Sequence, residues 1–540
     1  MSVSGRRFRV APLPKPPAPG RVRWTRGRHE ATADDSWYRE ANTMSDRNAR
    51  QESQHSIVPQ PSRAKLARQT RGEPTTDGSL DREGKCRGTD PLRGNTPDSG
   101  SPTCVFTVQE RIATLARQRP DEALVTLSKY LNEDWLRTAW EKTRKDGAPG
   151  IDGETWKDFE IGLAERLTQL RDQAHSGTYR APPVRRAYIP KGTGPETRPI
   201  GIPTLTDKVL QRAVVMLLTP IYETMFHPGS YGFRPGRDQH QAINALRNWL
   251  VPHRGGWLVE VDVRKFFDTI DHAQLREFVR RRVGDGVMLR LIGKWLKAGV
   301  MEDEQVWYPS EGSPQGGVIS PLLANIFLHY VLDEWFETVL KPQLQGEAIL
   351  IRFADDFVIA CTHECDTRMV FAALPGRFAE HGLTIHDAKS RLVRFTRPDR
   401  DTAAPETFDL LGFTFHWGQT PTGYWTVKTK TAANRLHRAF KTIAVWCRRH
   451  RHDPIPEQQA KLRDKLRGHY AYYGRPGNYP CLSQFYRGVQ RCWHKWLSRR
   501  SWVAYLSWDT FYALLLRHPL PSPKIHPGTA LREPVVRGTG

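Results

Sequence analysis

Apolar side chains recur every three to four residues from Phe106 onward. Val108, Ile112 and Leu115 fall on one stripe, and Leu124, Leu127 and Leu131 extend it, which predicts helix where a sustained period first appears. The turn residues Gly147 to Gly153 interrupt it, and Thr155 to Leu170 predicts a return to helix, so residues 106–183 read as a helical N-terminal segment. At Val184 the period changes. Val184 to Pro190 and Arg198 to Pro203 read as two strands of a hairpin around Lys191-Gly192-Thr193-Gly194, and a helix capped by Thr206 or Asp207 then turns Val209, Leu210, Ala213, Val214 and Leu217 inward. Further on, Trp257 to Val263 predicts a buried strand and His272 to Val283 an amphipathic helix. Ile319 to Phe336 predicts a longer apolar helix, and Ile349 to Cys361 an apolar hairpin. After Trp425 the pattern is helical, with Leu436, Phe440, Ile443 and Trp446 on one face. The fold class expected is α+β, in layers.

The two ends read differently. Residues 1–105 are rich in Pro, Gly, Ser, Thr and Arg without a period of 2 or 3.6, as expected of a disordered basic arm; Met44 within it offers a second start for translation. The stretch from Pro519 to Gly540 is Pro-rich and is expected to be disordered, within a C-terminal tail over 506–540.

Composition adds a partner class. The 540 residues carry 81 Lys+Arg against 58 Asp+Glu, a formal charge of +23, which points to a polyanion. The excess is concentrated: residues 425–505 hold 18 Lys or Arg and 3 Asp or Glu, implying a basic helical surface there. Even the apolar run Gly286 to Val300 is broken by Arg290, Lys294 and Lys297, so no membrane span is expected. The N-terminus runs into Pro12, Pro14, Pro16, Pro17 and Pro19 rather than an apolar signal segment, which favours a cytoplasmic, nucleic-acid-associated protein. Seven scattered cysteines, with Cys361 and Cys365 lacking CxxC spacing, exclude a disulfide framework and a zinc site.

Three carboxylates stand where apolar residues would be cheaper. Alternation along Trp257 to Val263 puts Trp257, Val259, Val261 and Val263 on one face and Leu258, Glu260 and Asp262 on the other. Asp355 and Asp356 sit at the centre of the apolar hairpin. Adjacent like charges about 4 Å apart repel by about 4 kcal/mol at an effective dielectric of 20, and burial adds to that; a divalent cation would reverse the sign. Read singly, the acidic pair is equally a polar turn and Asp262 a capping or salt-bridged residue.

Further blocks accompany them. In chain order they are Gly147 to Gly153, Ile189-Pro190-Lys191 with Arg198 to Pro203, Tyr231 to Arg237, Asp262 to Asp268 with Ile270-Asp271-His272, Ser313 to Pro321, and Phe353-Ala354-Asp355-Asp356. Gly382-Leu383 through Lys389-Ser390, Leu411-Gly412-Phe413 and Leu466 to Gly474 follow. Over about residues 110–505 this ordered set resembles the reverse transcriptase/maturase proteins encoded by group II introns, of the type lacking an endonuclease domain.

The resemblance implies a right-hand polymerase: fingers and palm over 184–420, a thumb/maturase domain over 425–505, and RNA-directed DNA polymerisation by a two-metal mechanism. Asp262, Asp355 and Asp356 would be catalytic and, with Val263, hold two Mg²⁺. Lys191 and Arg198 would bind the triphosphate of a dNTP, Phe267 would crowd a ribose 2′-OH, and Gln315 would bond the incoming nucleotide. Their plainer readings are solvated charges, core and helix entry. Lys389, Leu411, Gly412 and Phe413 would lie along the RNA template and DNA primer. Arg448, Arg449, Arg451, Lys461, Arg463, Lys465 and Arg467 would contact intron RNA phosphates. Tyr470, Tyr472, Tyr473, Trp493 and Trp496 would stack on bases or pack as core. Phe353 stands where the family usually has Tyr, which removes a hydroxyl and keeps the metal-binding acids.

No Cys follows Tyr505, so second-strand cutting of target DNA is not expected, and priming would use a pre-existing strand end such as one at a replication fork. The leading expectation is a polymerase that also binds its group II intron RNA for splicing and retrohoming. An RNA-binding splicing cofactor without polymerase activity, and a domesticated reverse transcriptase in defence or diversification, are the alternatives.

Overall fold

A computed structural model describes residues 105–190, 197–302, 305–308, 312, 316–398, 406–501 and 505–525. The readings made for Met44 and the N-terminal arm, Lys191, Gln315 and the tail beyond 525 lie outside the described residues.

The first helix, α1 (Val105–Gln118), ends just before Pro120, so the stripe does not run on to Leu131 as expected. Leu124 instead bridges Val283 in extended backbone, and Leu127 is buried beside a short 3₁₀ turn. α2 (Glu133–Glu141) follows; the helix expected from Thr155 is split into α3 (Trp156–Glu160) and α4 (Leu163–Ser176) by Gly162 at φ +68°. Strands β1 (Val184–Pro190) and β2 (Thr197–Ile202) form the expected hairpin, with Ile189 opposite Arg198. The cap of α5 (Leu205–Tyr222) is Thr204, not Thr206 or Asp207, because its side chain accepts from the Asp207 N–H.

After α6 (Gln239–Leu250) come β3 (Trp257–Val261), α7 (His272–Arg280), α8 (Gly286–Leu296), β4 (Val300–Glu302) and β5 (Gln305–Trp307). The apolar helix α9 (Ser320–Leu328) continues through wider π turns to Leu340. β6 (Ala348–Phe353) and β7 (Asp356–Cys361) make the second hairpin, followed by α10 (Glu364–Glu380) and β8 (Arg391–Arg394).

Beyond these the sequence reading needs correction. Helix was expected from Trp425, but β9 (Phe408–Leu410), β10 (Phe413–Gln419) and β11 (Trp425–Thr431) form a sheet, so the boundary drawn at 420–425 cuts a hairpin. Alternate residues Val427, Thr429 and Thr431 are buried, a period of two that the neighbouring lysines concealed. Helices α11 (Ala433–Arg449), α12 (Ile455–Tyr473), α13 (Tyr479–Leu497) and α14 (Trp508–Arg517) complete the chain. α14 lies in the expected tail, yet Phe511 and Leu520 are buried in the helical core and Tyr470 donates to the Pro521 carbonyl.

The strand orders are β2-β1-β4-β5, β6-β7-β3-β8 and β11-β10-β9. The second sheet is covered on both faces: Val259, Val261 and Phe357 enter the main core with α5, α7, α8 and α9, while Leu258, Val358 and Val393 enter a second core with α6 and the β9–β11 sheet. Two-sided burial explains why its strands read as continuous apolar runs. Among the described residues no helix is long and apolar enough to cross a membrane.

Candidate active site

Val261 pairs with Phe357, so Asp262, one residue past β3, and Asp356, the first residue of β7, emerge at the same end of neighbouring antiparallel strands. Asp355 lies beside them in the two-residue turn between β6 and β7, where Phe353 pairs with Asp356. Strand register thus brings Asp262 to the same end of the sheet as the sequence-adjacent pair Asp355 and Asp356.

The turn is strained and braced. Ala354 has φ +58°, a region that costs a non-glycine residue about 1 kcal/mol or more. Beneath it, Arg352 is fully buried: its guanidinium holds Asp333 through Nε at 2.7 Å and Nη2 at 2.5 Å, Asn325 Oδ1 at 2.9 Å and the Ala354 carbonyl at 3.2 Å. Beside it runs the Gly229–Gly232 segment. Tyr231 N–H donates to the Arg352 carbonyl, Arg352 N–H donates to the Gly229 carbonyl, both at 2.8 Å, and Asn325 Nδ2 donates to Gly232 O. A Cβ on Gly232 would stand 2.3 Å from the Ala354 nitrogen, so only glycine fits. In the same block Arg234 is spent on Glu223 and on the carbonyls of His227 and Ser230. The block from Tyr231 to Arg237 therefore supports the acidic turn.

The electrostatics follow from this packing. Burial pushes the Asp355 carboxyl above the usual carboxylate range, against its own backbone N–H and Arg198, with Asp262 adding to the rise. Asp356 touches solvent but lies against a concave protein wall; that low-dielectric surround, then Asp355 and Asp262, pushes it up to about 6, opposed by Arg435 and Arg198. Lys389 Nζ lies 3.0 Å from Asp262 Oδ2. Asp262 and Asp356 line a recess of about 220 Å³ bordered by Glu260, Lys389, Leu411, Gly412, Asn434 and Arg435. Among the described residues no three His, Cys, Asp or Glu side chains stand fully assembled as a metal cage.

The other sequence-selected residues divide. Arg198, exposed on β2, reaches both turn acids with its field. Phe266 is buried and Phe267 half-buried, edge to face with it at 5.4 Å. The Val263 side chain is buried and its backbone bridges Ile385, so only main-chain atoms could meet an ion there. Leu411 and Gly412, at φ +50° and +79°, form a turn whose carbonyls accept from Tyr472 Oη and Ala432 N–H. Phe413 does not fit its expected place along template and primer: it is fully buried between Tyr472, Tyr473 and Arg475.

In the helical unit Arg448, Arg449, Lys461 and Arg467 are exposed, and Arg451, Arg463 and Lys465 are half-exposed. Tyr470 and Trp493 are buried, the latter bonded to Gln458, so neither can stack on RNA as Tyr470 was expected to; Tyr473 is half-buried against Phe413. Their apolar neighbours at helical spacing already favoured core. Trp496 keeps part of its surface, with Arg448, Lys495 and Arg499 within 5.8 Å of its ring. Sequence reasoning missed Arg435, which borders the recess from α11, because nothing in a run of regularly spaced Arg and Lys singles it out.

Residues 189–415 match the family model described as reverse transcriptase (RNA-dependent DNA polymerase). The chain is similar to Protein YkfC of Escherichia coli strain K12, 42% identical over 248 residues, covering 45% of this chain and 64% of that protein. It is similar to the group II intron-encoded protein LtrA of Lactococcus lactis subsp. cremoris, 38% identical over 245 residues, covering 45% and 40%. A third relative is nuclear intron maturase 2, mitochondrial, of Arabidopsis thaliana, 30% identical over 173 residues, covering 25% and 23%. The chain thus spans less than two thirds of the length of each of these relatives.

Proposed function

We propose that this chain belongs to the group II intron-encoded reverse transcriptase/maturase family, copies RNA into DNA and binds its intron RNA to assist splicing and retrohoming. The observation that carries the reading is the meeting of Asp262, Asp355 and Asp356 at one end of a buried sheet, on a turn held in place at the cost of backbone strain. In this reading β1 and β2 belong to the fingers, the β6-β7-β3-β8 sheet to the palm, and helices α11 to α14 to the thumb/maturase domain.

The donor set suits magnesium: three hard carboxylate oxygens, two of them with raised proton affinity from burial and mutual repulsion, which a divalent cation would relieve. When bound, two such ions supply Lewis acidity to a primer 3′-OH and neutralise a departing pyrophosphate. Asp262, Asp355 and Asp356 would hold them, with the Val263 main chain adjacent. Arg198 would orient the dNTP triphosphate from the fingers hairpin, and the half-exposed Phe267 ring would exclude a ribose 2′-OH. Leu411 and Gly412 would seat the primer at the recess. The exposed arginines and lysines of the thumb, with Trp496, would bind intron RNA.

The test is primer extension: the purified chain, with an RNA template, a DNA primer, dNTPs and Mg²⁺, is expected to synthesise complementary DNA. Tight binding of that duplex without extension would reduce the protein to an RNA-binding cofactor. The brace makes a second prediction. Gly232→Ala forces a methyl against Ala354 and is expected to destabilise by about 1–3 kcal/mol, the usual range for overpacking. Because the displaced atoms carry Asp355, extension should fall at least about tenfold in protein that remains folded by circular dichroism.

A further inference from the structure

Asp262 differs from the other two acids in having a direct ion-pair partner, Lys389, among the described residues. The placement of that lysine is built into the backbone. His386 N–H donates to the Asp262 carbonyl at 2.8 Å, Asp262 N–H donates to Ser390 Oγ at 3.3 Å, and Arg264 N–H donates to the Thr384 carbonyl at 2.8 Å. The turn then closes on itself, with Lys389 and Ser390 N–H both donating to the His386 carbonyl. The segment 384–390 is therefore fastened to both sides of Asp262, and Lys389 stands over the carboxylate as a result. Neighbouring cations are engaged elsewhere: Arg264 with Asp387 at 3.4 Å and Arg391 with Glu260 at 2.6 Å.

We propose that Lys389 is a positioning residue, a resident counter-cation that holds Asp262 Oδ2 until a divalent cation exchanges for it. It thereby sets the cation concentration at which the three carboxylates gather round an ion. The inference rests on the polymerase reading above. A lysine ammonium is a compact charge on a flexible stem, able to leave without moving the backbone. The side chains are 56% and 40% exposed, and so open a pair shifts an equilibrium by only about two- to fivefold. That is enough to hold the carboxylate and too little to resist exchange.

The test uses the full chain without nucleic acid or nucleotide and Mn²⁺ as the probe, with free Mn²⁺ counted by electron paramagnetic resonance. Lys389→Gln is expected to bind Mn²⁺ about two- to fivefold more tightly than the parent, and Lys389→Arg to match the parent. Arg264→Gln, which removes a charge two residues along the chain from Asp262 but paired with Asp387, is also expected to match it. Equal or weaker binding by Lys389→Gln, or equal tightening by Arg264→Gln, overturns the proposal. Asp262→Asn separates the two levels of inference. If it weakens Mn²⁺ binding while Lys389→Gln fails to tighten it, the counter-cation idea alone falls; if it leaves binding unchanged, the metal-site reading falls as well.

Discussion

Asp355→Asn is expected to reduce RNA-templated primer extension about a thousandfold or more while leaving the thermal midpoint and duplex affinity close to those of the parent chain. The loss corresponds to about 4 kcal/mol of transition-state stabilisation, within the several kcal/mol that an ion polarising a phosphoryl oxygen supplies. Folding should be spared because the carboxylate is a liability to the resting protein: burial and Asp262 both raise its proton affinity. An uncharged amide of the same shape removes that repulsion. Single-turnover extension at saturating dNTP, beside a binding isotherm for the same duplex, separates the two effects. A loss of less than tenfold, or a parallel loss of duplex binding, would contradict the assignment.

The second large effect lies one layer below. Arg352 and Asp333 are both fully buried, and Arg352→Met would leave the carboxylate in the core without its guanidinium, with only the His329 ring 3.9 Å away as a polar neighbour among the described residues. Breaking a buried pair in this way costs about 3–5 kcal/mol, which for a unit of this size lowers the melting temperature by roughly 5 °C. Arg352→Met with Asp333→Leu should recover most of that stability, since a well-packed apolar pair of similar volume is often no worse than the ion pair it replaces. The double variant should nevertheless extend primers poorly, because the guanidinium also bonds the Ala354 carbonyl in the acidic turn. Differential scanning calorimetry and extension assays on the same preparations would show stability returning without activity. Recovery of both would mean that the pair serves the core alone.

How much could be read from the chain varies with the physics involved. The β3 strand and the β6–β7 hairpin were legible because two-sided burial writes itself as apolar runs, and acids inside such runs stand out. β11 was not, since Lys428 and Lys430 on its open face, next to a basic helix, outweighed the alternation of Val427, Thr429 and Thr431. The tyrosines of α12 carried two readings, and only burial separated them: Tyr470 is core, while Trp496 on α13 keeps an open edge among arginines. The bonds under the acidic turn join residues between 2 and 27 positions apart through one guanidinium, a convergence that no periodicity encodes.

The docked stretch after α14 has a practical corollary for dissecting the molecule. Leu520 fills the helical core, Pro521 receives the Tyr470 hydroxyl, and Ile525 packs alongside. An expression fragment trimmed at 505 on the strength of motif boundaries would uncover greasy surface and leave a phenol without its acceptor. Affinity tags and fluorescent fusions belong beyond 525, where they would not compete with this stretch for its seat among the basic helices.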